Sequence, residues 1–179
     1  MKENTETLNN NALHLIQNGN IEDAIELLKR AVTIEPENPT IWFNLAVTLR
    51  DDGKLEEARN ALETAHGIDP DNTEIIDTLA IVCMNIGDIE SALELCAEGL
   101  SKNEMDPHLW NTFGVLYFNG NELDLAAEAF EHAITLNPYY YDALYNLRDT
   151  YEEMGNEAGM KFCIERMKDI KQNNSKIGE

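Results

Sequence analysis

Four histidines (His14, His66, His108 and His132) and three cysteines (Cys83, Cys96 and Cys163) are the side chains here best suited to metal ligation or nucleophilic chemistry. Helical metal sites set two histidines at i and i+4, and structural zinc sites use closely spaced cysteines. Neither spacing occurs. Counted outward from Gly87, Cys83 and Cys96 fall roughly 8 Å apart along two helix axes, too far for a comfortable disulfide. Both are therefore expected to be buried free thiols, with Cys163 more exposed. The odd cysteine count suggests reduced thiols and a cytoplasmic location. Asp51-Asp52-Gly53 resembles a calcium loop only in its first residues, lacking the alternating oxygens and distal glutamate, and reads as a turn that ends a helix. GxGxxG, GxxxxGK[ST] and GxSxG are absent. The expectation is a protein that is no enzyme and holds no cofactor or metal.

Behind these residues stands a strict period. Gly19, Gly53, Gly87 and Gly155 recur in steps of 34 residues, with Asn121 in the remaining slot. Ala24, Ala58, Ala92 and Ala126 keep the same step, as do Pro36, Pro70 and, two steps on, Pro138. Five units, 5–38, 39–72, 73–106, 107–140 and 141–174, fill a single expected repeat domain over 1–179. In the second unit Trp42, Leu45, Ala46 and Leu49 form one helical stripe. Gly53 ends that helix, and a second stripe runs through Ala58, Ala61, Leu62, Ala65 and Ile68 before Asp69-Pro70. Each unit thus reads as two antiparallel helices of about 12–14 residues, roughly 18–21 Å long at 1.5 Å per residue.

Composition bounds the partners. Hydrophobic residues make up 43% of the chain, and 34 acids against 13 bases give a formal charge of −21. That charge repels nucleic acid and anionic lipid. No apolar run approaches the roughly 18 residues of a membrane span, and the polar N-terminus shows no signal-peptide core. The third unit carries eight acids and one base, the fourth four acids and no lysine or arginine, and the fifth five bases. Negative charge of this kind steers basic or amphipathic segments, although solubility alone would also explain it.

The pattern resembles the tetratricopeptide repeat, W-x2-L-G-x2-Y followed by A-x3-F and P. The fourth unit shows Trp110-x2-Phe113-Gly114-x2-Tyr117, Ala126-x3-Phe130 and Pro138. The fifth is the most degenerate, with Arg148 in place of a small residue and Met160 in place of alanine. The resemblance implies an all-α, right-handed solenoid of five helix pairs whose first helices line a concave groove for peptides or helices.

The groove-facing places can be assigned by register. The ninth place holds Leu13, Val47, Ile81 and Val115, ending at Asp149, and Phe43 and Phe118 lie beside it. The sixth place holds Asn10, Asn44, Thr78, Thr112 and Asn146, with Asn111 nearby. Amides offer a donor and an acceptor to a peptide backbone. Alternatively, the apolar strip is buried between neighbouring first helices and the asparagines are surface residues only. The chaperone-tail clamp of some family members is not expected, because Asn9, Glu74 and Thr78 stand where it needs bases.

The expected function is a protein-interaction module acting as adaptor, assembly factor or holding chaperone. Its alternative is a self-associating scaffold. The C-terminal repeat, with Met160, Ile164, Met167 and Phe162 and no sixth unit to cover them, suggests a homodimer face. Lys161, Arg166 and Lys168 would pair across it with Glu157, Glu165 and Asp169. The polar tail KQNNSKIGE is expected to fray.

Overall fold

The computed structural model describes residues 4–177, with side chains through 172. Ten helices alternate with short turns along the described residues. The first helix of each repeat is α1 (Thr5–Gln17), α3 (Pro39–Asp51), α5 (Thr73–Ile86), α7 (Pro107–Asn119) and α9 (Tyr141–Glu153). The second is α2 (Ile21–Ile34), α4 (Leu55–Ile68), α6 (Ile89–Lys102), α8 (Leu123–Leu136) and α10 (Glu157–Ile177). The first helices begin at residues 5, 39, 73, 107 and 141, in steps of 34.

Local chemistry explains the starts and stops. Pro39 and Pro107 open α3 and α7, where a missing N–H costs no helical bond. Asn72 and Asp106 cap α5 and α7, their side-chain oxygens accepting first-turn N–H groups. The turn inside each repeat passes through the left-handed region: φ is +78° at Gly19, +79° at Gly53, +94° at Gly87 and +69° at Gly155. Asn121 occupies the fifth such turn at φ +62°. Asparagine tolerates this region and alanine does not. Asn121→Ala should therefore cost about 1–2 kcal/mol while Asn121→Gly stays close to wild type, as urea melts of the two variants would show.

The helices pack as two compact units, Met1–Leu95 and Cys96–Glu179. In the first, α1 packs on α2, α2 on α3, α3 on α4 and α4 on α5. Ala24, Leu28, Ala46, Ala58, Leu62 and Ile76 are completely buried there. Trp42 is half-buried, and its indole N–H donates to the Pro36 carbonyl at 2.8 Å, fastening the loop between repeats to the helix that follows. Arg59 on α4 reaches Asp88 at 2.9 Å and Glu63 at 2.8 Å. Asp88 also accepts from the hydroxyl and N–H of Ser91, which together with Arg59 hold its carboxyl below the usual range.

In the second unit α7 packs on α8, α8 on α9 and α9 on α10. One cluster gathers Ala126, Ala127, Phe130, Leu144, Leu147, Cys163 and Met167. The Trp110 tie repeats that of Trp42, its N–H donating to the Glu104 carbonyl at 2.8 Å.

Three expectations for the C-terminal repeat are corrected here. Met167 is only 7% exposed and belongs to the core, so it offers nothing to a second chain. Cys163 is fully buried like Cys83 and Cys96, and burial pushes its thiol up to about 11. In place of the expected fraying, the backbone of α10 continues as helix past Lys171 to Ile177, and residues 178–179 lie outside the described residues. Two of the three bases assigned to a dimer seam also have partners within the chain. Arg166 donates to the Pro138 carbonyl at 3.1 Å, and Lys161 lies 3.9 Å from Glu157.

Candidate functional site

The first helices each carry a face not used by their own core, and the two units show it separately. In the first unit Asn10 and Leu13 are exposed on α1, while Phe43, Asn44, Val47 and Ile81 are half-buried on α3 and α5. Thr78 is 7% exposed and so offers little surface. The asparagine ladder has a specific construction. Asn44 Nδ2 donates to Asn9 Oδ1 at 2.8 Å, joining α3 to α1, and Thr48 Oγ1 donates to the Asn44 carbonyl at 2.7 Å. Asn9 thus faces the neighbouring first helix.

The second unit repeats the device. Asn146 Nδ2 donates to Asn111 Oδ1 at 3.0 Å, and Thr150 Oγ1 to the Asn146 carbonyl at 2.8 Å. Beside this bridge lies a pocket of about 180 Å³ lined by Val115, Phe118, Asn119, Phe130, Asn146 and Asp149. Three residues singled out from the sequence, Val115, Phe118 and Asn146, meet in it, and a fourth, Asn111, is hydrogen-bonded to Asn146. Sequence reasoning does not single out Phe130 or Asp149. Phe130 occupies an ordinary core place, and Asp149 marks only the point where the apolar ladder stops. Its ninth-place register, shared with Val115, is the available signal.

Phe130 comes close to the pocket because Gly114 has no side chain. A Cβ on Gly114 would stand 2.5 Å from the Phe130 ring. Arg148 borders the pocket without lining it. Its Nε and Nη2 both donate to Asp149 Oδ1, and its guanidinium lies 4.2 Å over the Tyr145 ring. The hydrogen bond from Arg148 to Asp149 keeps that guanidinium firmly protonated.

The histidines make no common site. His108 Nδ1 lies 3.1 Å from the Tyr140 hydroxyl, His132 stacks on Trp110, and His14 contacts Asn18. The first-helix faces of both units carry apolar side chains and hydrogen-bonding amides, and that of the second unit adds the Asp149 carboxylate.

Family models described as tetratricopeptide repeat match residues 15–65, 49–112 and 107–140. The chain belongs to the tetratricopeptide repeat family. A curated relative within reach of sequence comparison is the uncharacterized protein ycf37 of Pyropia yezoensis, 29% identical over 75 residues. That match spans 42% of this chain and 42% of the relative's length. Among solved structures, MamA superposes with a TM-score of 0.77 at 20% identity, covering 92% of this chain and 96% of that one. PilF of Pseudomonas aeruginosa gives 0.81 at 17% identity, covering 92% and 75%. The Cut9–Hcn1 hetero-tetramer of the APC/C gives 0.82 at 20% identity, covering 94% and 34%. At these identities the likeness establishes the fold, an all-α tetratricopeptide solenoid. Tetratricopeptide folds of this kind present extended surfaces for protein–protein interaction.

Proposed function

We propose that this chain grips a peptide or helix of a protein partner on its first-helix faces, as an adaptor, assembly factor or holding chaperone. The observation that carries the reading is the set of large apolar side chains left open to solvent there: Leu13 at 40% exposure, with Phe43, Val47 and Ile81 half-buried in the first unit and Val115 and Phe118 around a pocket in the second. Apolar surface on helices that already bury a core on their other side commonly marks an interaction site. Amides paired between neighbouring repeats hold this face rigid, which limits the ordering cost of binding. The charge of −21 favours basic or amphipathic partners over acidic tails. Three free thiols support a cytoplasmic setting.

The test replaces Val47 and Ile81 together with glutamate. Both are half-buried, so circular dichroism should stay near wild type while partner capture from source lysate is lost. Equal capture by both proteins would move the site off this face. The alternative, self-association through the fifth repeat, would have to rest on Phe162 and Tyr145, which are 49% and 45% exposed. Light scattering over a range of concentrations separates it from ligand binding.

A further inference from the structure

The pocket on α7, α8 and α9 has a mixed lining. Val115, Phe118 and Phe130 supply hydrocarbon; Asn119, Asn146 and Asp149 supply polar groups. Asn146 commits one Nδ2 hydrogen to Asn111 and keeps its side-chain Oδ1 as an acceptor, while its backbone carbonyl accepts from Thr150. An ionised carboxylate such as Asp149 has only acceptor oxygens. Arg148 engages Oδ1 twice, so Oδ2 is the oxygen left for an incoming donor. The repeat 107–140 that supplies most of the pocket contains four acids and no lysine or arginine. At about 180 Å³ the space is smaller than the roughly 300 Å³ of a small-molecule site and suits one extended side chain.

Resting on the ligand-face reading above, we infer that this pocket takes a single lysine or arginine side chain of the protein partner. Its methylene stem lies along Val115 and Phe118, and its cation meets Asp149 and the side-chain Oδ1 of Asn146. Long basic side chains bury their stems on apolar surface while the charged head stays at a wet rim. Arg148 sets the strength of the site. It stands where the other four repeats carry Ala12, Ala46, Ala80 and Gly114, and it offsets part of the Asp149 charge.

The probe is a capped seven-residue peptide of alanine and leucine with one central lysine, beside a twin in which norleucine keeps the stem and removes the charge. Titrations followed by 15N–1H NMR should shift the amide signals of Val115, Phe118, Asn146 and Asp149, with the lysine peptide binding about tenfold tighter than its twin. Asp149→Asn should abolish that preference and Arg148→Gln should increase it, both with unchanged helicity. Asp124→Asn, an exposed acid of α8, should leave it intact. Equal binding of the two peptides at the pocket overturns the cation assignment while the ligand-face reading stands, since that reading is decided by the capture experiment. Equal losses in Asp149→Asn and Asp124→Asn would show diffuse attraction by net charge and overturn it too. Shifts confined to residues outside the pocket, or none from either peptide, overturn the pocket itself.

Discussion

Ala58→Glu should unfold the first unit or bring it close to unfolding. Ala58 lies on α4 with no exposed surface; α4 packs on α3, where Ala46 is equally buried. A carboxylate there loses its hydration and gains no partner, and Leu62 and Ala65 on the same helix are apolar and fully buried as well. The expected cost is at least about 3 kcal/mol, a large part of the stability of a domain this size. Because each helix pair buries its apolar stripe against its neighbours, the loss should spread through the adjoining repeats and not remain local. Ala92→Glu, at the equivalent place of α6, should behave alike. Asn60→Glu, on the exposed face of α4, serves as the control and should stay within about 0.5 kcal/mol of wild type. Thermal melts followed by circular dichroism at 222 nm make the comparison. Wild-type melting of Ala58→Glu would mean that the helix interior is not packed as described.

Period makes most of this fold legible. The turn residues repeat because each turn needs a left-handed residue. That need is local, so the 34-residue step alone places Asn121 with the four glycines. Fully buried places are equally readable, since small residues at fixed steps mark where helices approach closely. The fifth repeat misleads through residue type. Met167 occupies the place held by Ala31, Ala65 and Ala133, and register alone marks that place as interior. Its size suggests an open apolar end, yet in this repeat the larger side chain fills the core of the second unit. Gly159 shows the accompanying adjustment, with the Tyr151 ring 2.6 Å from where its Cβ would stand.

The candidate surface is less legible, and the reason is geometric. The asparagine bridges join residues 35 apart, one more than the period, because the amide of one helix reaches the preceding helix at the adjacent place. A ladder drawn strictly at the sixth place pairs Asn44 with Asn10 and misses Asn9. The pocket depends on Phe130, a second-helix residue, and on the absence of a side chain at Gly114. No first-helix pattern contains either fact.

That last pair carries the second large effect. Gly114 is buried on α7, and the ring of Phe130 on α8 fills the space a methyl group would need, with Cε1 2.5 Å and Cδ1 2.6 Å from an ideal Cβ. Phe130 is 1% exposed, so relieving the contact requires its ring to shift within a packed interior. Gly114→Ala should therefore cost about 2–3 kcal/mol by overpacking, although alanine favours a helix more than glycine does. The same two places hold Ala12 with Leu28 and Ala46 with Leu62 in the first unit, where a methyl group faces a smaller side chain. Phe130→Leu alone should also cost stability, by leaving a void beside Gly114. The double variant Gly114→Ala/Phe130→Leu reproduces the pairing of the first two repeats and should recover most of the loss, giving a coupling of about 1–3 kcal/mol in a double-mutant cycle. Because Phe130 lines the pocket with Val115 and Phe118, the double variant should fold well yet bind the lysine peptide more weakly, its apolar wall having changed shape. Additive losses in denaturant melts would show that Gly114 and Phe130 do not compensate one another.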